Sequence, residues 1–357
     1  MKIIRLVTFL DFGGIERKME KLSVTADEHQ WIFVALNRGG LAERRIIENG
    51  KRAVCLNLPY SIPNLCTLYT LYKFMVKEAP DVLHAAGAEA IFFGVLAAKL
   101  AGVKTIIAEE IGIPKHSKIA KFIFKYIYGL ASYVTGESQS VIDHLSREYQ
   151  LHQDRLKKIP NFIGTLPLMS CDRAREKSGI FTIISVARLE PVKNIELALR
   201  AIKRIINDSY NVKYLILGEG SQRSNLESLA KRLGIADRVE FTGLKADPIP
   251  YLLTSNLFLL TSNSEGFSNS LLEAMYYQVP SISTKVGGAE DIIIDRHNGW
   301  LVNVNDEKQL YDKLIYILSM SKDQLFEIGK TGSRIVIDKY TLENHLNQTY
   351  KIYGVRK

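Results

Sequence analysis

The sequence predicts an α/β protein made of two doubly wound domains, each built on a parallel sheet. Short apolar runs alternate with longer amphipathic stretches from end to end, as in chains of repeated βα units. The 357 residues are enough for about two domains at roughly 150 residues each. Hydrophobic residues at 46% and charged residues at 24% are ordinary globular values. This composition excludes a disordered, collagenous or coiled-coil chain.

Eleven short apolar runs are predicted to be strands, with helices between them. In the first half they are Ile3–Val7, Trp31–Leu36, Ala53–Leu56, Val82–His84, Thr105–Ala108 and Tyr133–Thr135. In the second half they are Thr182–Val186, Val212–Leu217, Val239–Phe241, Leu257–Thr261 and Ser281–Ser283. We expect a last helix within Thr341–Lys357, after the second sheet is complete.

The boundary between the domains should lie near residues 160–180. Pro160, Gly164 and Pro167 break the periodicity there, and the polar stretch Cys171–Lys177 follows before the next strand. We therefore expect a first domain at 1–165, a second at 166–340 and a C-terminal helix at 341–357 that can cross back to the first domain. A cleft between the two domains is the expected result.

Charge and cysteine content narrow the function classes. The net charge of +9 favours anionic partners such as nucleotides or phospholipid surfaces. Three widely separated cysteines without a Cys-x-x-Cys pair indicate neither a disulfide framework nor a zinc site, so a reducing cytoplasm fits best. Since no apolar run reaches roughly 18–20 residues, we expect any membrane contact to be peripheral.

The sharpest chemical signal is a pair of carboxylates, Glu265 and Glu273, that follows the strand Leu257–Thr261. If Ser268 caps the next helix, Glu265 lies in the loop above the carboxyl end of the strand and Glu273 about one turn inside the helix. Ligands bind at that edge of open α/β sheets, and N–H groups at a helix start favour an anion. Two ordinary glutamates at the end of a helix are the alternative.

Three more loops of the second half follow predicted strands. One carries Arg188 and Lys193, a spacing that lets two cations grip a diphosphate. The others carry Gly218-Glu219-Gly220 and Gly243-Leu244, tight turns that let a nucleoside approach the backbone. Each loop alone could be a simple turn. Because loops after parallel strands face one edge of the sheet, together they predict a single site.

These four loops together resemble those of the retaining glycosyltransferases of family 4, which have two Rossmann-like domains in the GT-B arrangement. The resemblance covers the chain from the first strand to the last helix. A Glu, seven residues, Glu pattern is a hallmark of that family and is matched by Glu265 and Glu273. The resemblance implies that Glu265 contacts hydroxyls of the donor sugar, that Glu273 contacts the ribose, and that Arg188 and Lys193 neutralise the diphosphate.

The same resemblance implies further contacts to the donor. Gly218, Gly220 and Leu244 would line the nucleoside pocket, and Phe267, Ser268 and Asn269 would present backbone to the sugar and phosphates. In the first domain, the glycine loop with Gly13 and Gly14 would close over the phosphates. Val286–Glu290 and Asn298–Val302 also match later segments of the family, mainly with structural roles.

One position departs from the family pattern. Many members carry a histidine after the fifth strand of the first domain, where this chain has Glu110. A glutamate there could hydrogen-bond a sugar hydroxyl or mark altered chemistry. His84, after the preceding strand, is the remaining candidate imidazole, with a satisfied histidine at the end of a strand as the alternative.

The resemblance implies a reaction that needs no metal and no cofactor besides the donor substrate. The chain lacks the Asp-x-Asp sequence with which the other major glycosyltransferase fold binds a metal ion, and cationic side chains can take the place of that ion. The resemblance implies transfer of a hexose or N-acetylhexosamine, from a UDP-sugar preferentially, to a glycan or lipid-linked glycan for the cell surface. A nucleotide-sugar epimerase of the same fold and a catalytically silent scaffold are the alternatives. We expect no nucleic-acid partner.

Residues 115–128 contain four lysines and no acidic residue. At about 100° per residue, Lys118, Lys121 and Lys125 share a helix face, with Phe124 and Tyr128 at its border and the other apolar side chains opposite. This basic aromatic face is predicted to contact anionic lipid on the inner side of the cell membrane. A core-packed helix with solvated lysines is the alternative.

Overall fold

The computed structural model describes residues 1–164, 179–245 and 247–355. The described residues form two compact units. Residues 1–164 and 342–355 make the first unit, and the described residues from 179 to 341 make the second. Within the predicted boundary region, Pro160 and Gly164 are described and belong to the first unit, whereas Pro167 and Cys171–Lys177 lie outside the described residues.

The strands and helices alternate along the chain in the βα order that the hydrophobic pattern predicts. The strands are β1 (Lys2–Val7), β2 (Gln30–Ala35), β3 (Arg52–Cys55), β4 (Val82–Ala86), β5 (Thr105–Glu110), β6 (Tyr133–Gly136), β7 (Leu156–Lys158), β8 (Phe181–Val186), β9 (Val212–Leu217), β10 (Val239–Gly243), β11 (Leu257–Leu260), β12 (Ser281–Thr284) and β13 (Trp300–Val302). The helices are α1 (Gly14–Ser23), α2 (Leu41–Glu48), α3 (Leu65–Glu78), α4 (Ala88–Leu100), α5 (Lys118–Leu130), α6 (Gln139–Tyr149), α7 (Ile195–Asn207), α8 (Arg223–Arg232), α9 (Ile249–Leu253), α10 (Asn269–Tyr276), α11 (Gly288–Ile292), α12 (Glu307–Leu318), α13 (Lys322–Lys339) and α14 (Leu342–Tyr353).

The first unit is a seven-stranded parallel sheet in the order β3-β2-β1-β4-β5-β6-β7. Helices cover both faces, which explains why β1 is buried along almost all of its length. Ile4 and Leu6 belong to the core under α3 to α6, whereas Ile3 and Val7 belong to the core under α1, α2 and α14. The last helix of the chain therefore packs on the first sheet.

The second unit is a six-stranded sheet in the order β10-β9-β8-β11-β12-β13, and all its neighbouring strands are parallel. The chain moves outward from β8 to β10 and then returns to β11 on the other side of β8. The loops after β8 and β11 therefore lie at the point where the strand order reverses, which is where open α/β sheets bind ligands. In the first sheet the same reversal falls between β1 and β4.

The two doubly wound parallel sheets of the predicted fold class are confirmed. All eleven predicted strands are present, and their ends agree within two residues. The sequence analysis missed β7 and β13, which have three residues each and lie at the edges of their sheets. Such short strands give no measurable period, and Leu-Lys-Lys in β7 has a single apolar residue.

Candidate functional site

A lysine and a glutamate meet at the reversal point of the second sheet. Lys193 ends a 3-10 turn, Pro191–Lys193, after β8, and Glu265 lies in the loop after β11. The Lys193 Nζ donates to Glu265 Oε1 at 2.5 Å, and the Ser262 hydroxyl donates to the same oxygen at 2.6 Å. The side chains of Lys193 and Glu265 are only 16% and 11% exposed. The fold thus brings a predicted cation and a predicted carboxylate into direct contact.

Backbone hydrogen bonds join the loops that carry this pair. The Asn263 N–H donates to the Val192 carbonyl at 2.8 Å, and the Thr261 hydroxyl donates to the Lys193 carbonyl at 3.2 Å. Asn194, in the left-handed region at φ 48°, precedes α7 and donates its side-chain amide to Asn263 and Asn305. The Lys193–Glu265 contact is therefore held by main chain as well as by its own charges.

Gly218 and Gly220 have a clear packing role. A Cβ at Gly218, where φ is 142°, would lie 1.9 Å from the Ala187 carbonyl oxygen, and one at Gly220 would lie 2.5 Å from the Leu189 oxygen. The Leu189 N–H also donates to the Glu219 carbonyl at 2.8 Å. These glycines let the loop after β9 support the loop that carries Arg188. Their predicted contact with a nucleoside stays a prediction.

Sequence analysis did not single out Glu190 and Ser221, which tie these two loops together. The Glu190 carboxylate accepts from the Ser221 hydroxyl at 2.7 Å and from its N–H at 3.1 Å. These hydrogen bonds lower the pKa of Glu190 below its ordinary value. Glu190 is the one acid between the two predicted cations, Arg188 and Lys193, and that position is the signal that could have identified it. Arg188 itself is exposed.

The predicted cap of α10 is confirmed. The Ser268 hydroxyl accepts from the Leu271 N–H at 3.3 Å, and Asn269 opens the helix. Glu273 follows one turn later and is half-buried. Glu265 and Glu273 therefore occupy the loop and the first turns of the helix, as the spacing predicts.

The Phe267 side chain is part of the core, so only its backbone is placed to meet a ligand. A Cβ at Gly288 would lie 2.2 Å from the Phe267 ring, and the Tyr340 ring centroid lies 5.7 Å from that of Phe267. Gly287, at φ 46°, would likewise put a Cβ 2.2 Å from the Glu265 carbonyl oxygen. The glycines of Val286–Glu290 therefore allow this segment to pack closely against the loop that carries Glu265, which agrees with the structural role predicted for it.

Leu244 follows the last residue of β10, Gly243, and its side chain is exposed. Gly243 itself has a φ of 76°, which favours glycine at this turn. The position of Leu244 at the carboxyl edge of the same sheet agrees with the predicted convergence of the loops.

The glycine loop of the first unit lies at the reversal point of its own sheet. Gly13 precedes α1, and Gly14 is its first residue. A Cβ built on Gly14 would have no packed neighbour within 4 Å outside its own helix backbone and adjoining residues, and the nearest atoms to one built on Gly13 belong to the movable end of the Glu16 side chain. Packing of the described chain therefore does not require either glycine, unlike Gly218 and Gly220.

His84 lies inside a buried charge cluster under α1 and α14. Its Nδ1 lies 2.6 Å from the Tyr353 hydroxyl and also contacts the Arg5 guanidinium, and its Nε2 lies 3.0 Å from Glu109 Oε2. Burial and the Arg5 charge lower the pKa of His84 to about 3, so the ring is neutral. The ring is buried among protein groups, and its Nε2 finds no hydrogen-bond partner of suitable geometry among the described residues, so the predicted contact of His84 with substrate stays a prediction.

Glu109 is the centre of that cluster. It accepts from Arg5 Nη2 at 2.7 Å and from Lys18, which also donates to Glu137 at 2.9 Å. Although burial opposes ionisation, Lys18 and Arg5 hold the pKa of Glu109 well below its ordinary value. This cluster was not predicted from the sequence. The signal that could have identified it is the presence of a charged residue, Arg5 or Glu109, within otherwise apolar strands.

Glu110, the next residue of β5, points to the opposite face of the sheet. Its Oε1 accepts from the hydroxyl of Tyr128 on α5 at 2.6 Å. Burial raises the pKa of Glu110 to about 7, and the nearby Glu109 and Glu89 add to the rise. Near neutral pH this carboxyl group is therefore poised between a hydrogen-bond donor and an acceptor.

Comparison with known proteins agrees with this geometry. The family model for Glycosyltransferase Family 4 matches residues 12–165, and that for Glycosyl transferases group 1 matches residues 172–331. The chain belongs to glycosyltransferase family 4. This glycosyltransferase thus carries its family signature in both units.

Two curated relatives and one solved structure place it more closely. It is 28% identical over 337 residues, 89% of each chain, to the Campylobacter jejuni GalNAc-alpha-(1->4)-GalNAc-alpha-(1->3)-diNAcBac-PP-undecaprenol alpha-1,4-N-acetyl-D-galactosaminyltransferase. It is 25% identical to the Escherichia coli UDP-Gal:alpha-D-GlcNAc-diphosphoundecaprenol alpha-1,3-galactosyltransferase, over 84% of this chain and 81% of that one. HepE from Anabaena, solved in complex with UDP, has a TM-score of 0.84 at 17% identity, over 99% of this chain and 100% of that chain. The structural likeness identifies the GT-B fold.

Neither a candidate metal cluster nor a membrane-spanning helix is found in the described residues. Within them, side chains of His, Cys, Asp and Glu form no group of three or more that could hold a metal ion. None of the helices in that part of the glycosyltransferase combines the length and apolarity that crossing a bilayer requires. Metal independence stays a prediction.

On α5, the predicted lysine face is partly engaged by the protein, although Lys118 and Lys125 are exposed. Lys121 pairs with Glu148, and Lys125 bonds to Gln150, both contributed by the α6 region. Phe124 and Tyr128, predicted at the border of the exposed face, are buried. The sheet takes this aromatic side of the helix, and the other apolar side faces outward.

Proposed function

We propose that this glycosyltransferase moves a hexose or N-acetylhexosamine from a nucleotide diphosphate sugar, with a UDP-sugar favoured, to a lipid-linked glycan with retention of configuration. The observation that carries the proposal is the contact of Lys193 with Glu265 at the reversal point of the second sheet. In a donor bound there, the diphosphate would lie near the Lys193 cation and the sugar hydroxyls near the Glu265 carboxylate.

The proposed chemistry needs no nucleophile from the protein. The bond from the anomeric carbon to the diphosphate oxygen breaks while the acceptor oxygen bonds to that carbon on the same face. The departing phosphate oxygen takes the acceptor proton. Negative charge grows on the diphosphate, so Arg188 and Lys193 stabilise the transition state more than the ground state. Glu265, held by Lys193 and Ser262, orients the sugar.

Other site residues receive supporting roles in this proposal. Glu273 holds the ribose, the start of α10 at Ser268 and Asn269 faces the phosphates, and Gly13 and Gly14 leave room for backbone to approach them. Glu110, with a pKa of about 7, can donate a hydrogen bond to a sugar hydroxyl when protonated.

The names of the relatives support the donor and acceptor classes. HepE was solved with UDP, and both curated relatives are named for acceptors linked to undecaprenol through a diphosphate. We therefore propose a polyprenyl diphosphate glycan as acceptor and cell-surface polysaccharide synthesis as the setting. Work at the surface of an anionic membrane, on its cytoplasmic side, follows from such an acceptor.

Donor binding followed by product analysis tests this function. A thermal-shift panel of nucleotide sugars identifies the donor, because a ligand that binds only the folded state raises the midpoint. The selected donor is then incubated with a short-chain polyprenyl diphosphate N-acetylhexosamine, and the anomeric configuration of the product is read by NMR. We expect an α-linked product from an α-linked donor.

The variant Glu265→Gln should lower turnover, whereas Glu240→Gln, which changes an exposed glutamate of the same unit, should leave it unchanged. An inverted product would refute retention. Conversion of the donor without acceptor would establish the epimerase alternative, and binding without turnover on any acceptor would establish the silent scaffold.

A further inference from the structure

An apolar stripe on α5 faces outward from the first unit. Ile119, Phe122 and Tyr126 are 76%, 77% and 64% exposed. Together with the partly exposed Ile123, they lie within about 100° of the helix circumference. Fifteen of the twenty exposed large hydrophobic side chains in the described residues belong to the first unit, and these four fall within eight consecutive residues.

A different side of α5 packs on the sheet, so the stripe is not part of the core. Phe124, Ile127 and Tyr128 face the sheet and are buried, and the Tyr128 hydroxyl is committed to Glu110. On the flank toward α6, Lys121 and Lys125 are held by Glu148 and Gln150. These contacts fix the rotation of the helix and leave Phe122 and Tyr126 pointing away from the protein.

The positive charges around the apolar stripe favour an anionic, partly apolar partner. Residues 111–136 contain four lysines and no acidic residue. Lys118 is exposed and lies on the helix face next to Phe122, and Lys115 is exposed just before the helix. Apolar side chains bordered by lysines match the boundary between acyl chains and anionic headgroups, and tyrosine is favoured at that depth.

We propose that α5 lies in the surface of an anionic bilayer, with Ile119, Phe122 and Tyr126 inserted among the acyl chains and Lys118 at the headgroups. The proposal rests on the proposed function in one respect, that a lipid-linked acceptor requires work at a membrane. It replaces the predicted face of three lysines. Apolar insertion provides most of the binding, since Lys121 and Lys125 already have partners.

Sedimentation with vesicles of phosphatidylcholine and phosphatidylglycerol tests the proposal on the full chain. Losing one inserted side chain should lower vesicle affinity about tenfold, so the double variant Phe122→Ser with Tyr126→Ser should lose more than about thirtyfold. The variant Lys118→Gln should lose about fivefold. Raised salt should weaken the lysine contribution and leave binding that still depends on Phe122.

Two matched controls separate insertion from general effects. Ile294→Ser removes an exposed apolar side chain from the second unit, and Lys121→Gln with Glu148→Gln removes an ion pair at unchanged net charge. Both should bind vesicles within about twofold of the wild type. The variant Phe122→Trp gives a positive signal: on binding to vesicles, the emission of the new tryptophan should shift to shorter wavelength and be quenched by brominated lipid. The native Trp31 and Trp300 are buried, so lipid should not quench them.

Several results would overturn the proposal. Equal binding by the wild type and the Phe122/Tyr126 double variant would do so, as would a Phe122→Trp signal that lipid does not change. A dimer in solution that the double variant dissociates would instead make the stripe an interface between two copies. If stripe-dependent binding is found but no acceptor is glycosylated, docking stands and the proposed function fails.

Discussion

Replacing Glu110 by glutamine should change how the stability of the first unit depends on pH. The carboxyl group is buried against Tyr128, and its pKa is raised from 4.5 to about 7. Below about pH 4.5 it is protonated in both folded and unfolded chains and has no effect. Between about pH 4.5 and pH 7 the unfolded chain releases the carboxyl proton while the folded chain keeps it. The free energy of unfolding therefore falls as the pH rises through this range.

The size of this effect follows from the shift. At about 1.4 kcal/mol for each pKa unit, the wild type should lose roughly 3 kcal/mol between pH 4.5 and 8 through this group. Glutamine keeps the shape and can accept from the Tyr128 hydroxyl, but it does not ionise. We therefore expect Glu110→Gln to match the wild type near pH 5 and to exceed it by about 2–3 kcal/mol at pH 8.

The two tryptophans allow the first unit to be measured by itself. Trp31 lies in β2 and Trp300 in β13, so a Trp300→Phe background leaves fluorescence from the first unit alone. Urea unfolding is followed at several pH values, with Glu48→Gln on α2 as an exposed glutamate control. Parallel pH profiles for the wild type, Glu110→Gln and the control would refute the reasoning.

Three other predictions concern the second unit. Loss of a charge-assisted hydrogen bond costs about 1.5–3 kcal/mol. Glu273→Ala should therefore weaken donor binding, measured by calorimetry, whereas Glu265→Ala should chiefly lower kcat. Near-normal kinetics in both folded variants would contradict the proposed site. Turnover should persist in EDTA, because Arg188 and Lys193 are proposed to neutralise the diphosphate, and a loss that metal restores would show the opposite. Gly218→Ala should destabilise this unit by more than about 2 kcal/mol, given its φ of 142° and the Ala187 oxygen 1.9 Å from the new Cβ. Trp300 fluorescence measures that change, and an unchanged midpoint would contradict the packing argument.

The sequence was most informative where one local pattern decides the structure. Strands buried on both faces read as continuous apolar runs, and Ser268 caps α10 because its hydroxyl reaches the N–H three residues later. The convergence of Lys193 and Glu265 could also be predicted, since parallel strands send their loops to one edge. The Glu190–Ser221 hydrogen bonds could not be predicted, because the sequence around Glu190 does not indicate which distant serine will contact it.

The rotation of α5 shows a different limit of sequence reasoning. Its amphipathic pattern separates two sides of the helix, but it does not state which side the sheet will take. The buried Glu110 favours one side, because a buried carboxyl group needs a hydrogen-bond donor and Tyr128 supplies one at 2.6 Å. A polar requirement on β5 thus turns the larger apolar side, with Phe122 and Tyr126, toward the outside.

The charge cluster under α14 extends this reasoning to the ends of the chain. Arg5 and Lys18 bring two cations into the interior, and Glu109 and Glu137 provide two acids, so the cluster can be neutral overall when all four are ionised. Tyr353 completes it by bonding to Arg5 and His84, more than 260 residues away in sequence. The family match ends at residue 331, so the motif alone does not include this helix. Without Tyr353, Arg5 and His84 would each lose one buried hydrogen bond, so the C-terminal helix helps to stabilise the interior of the first unit.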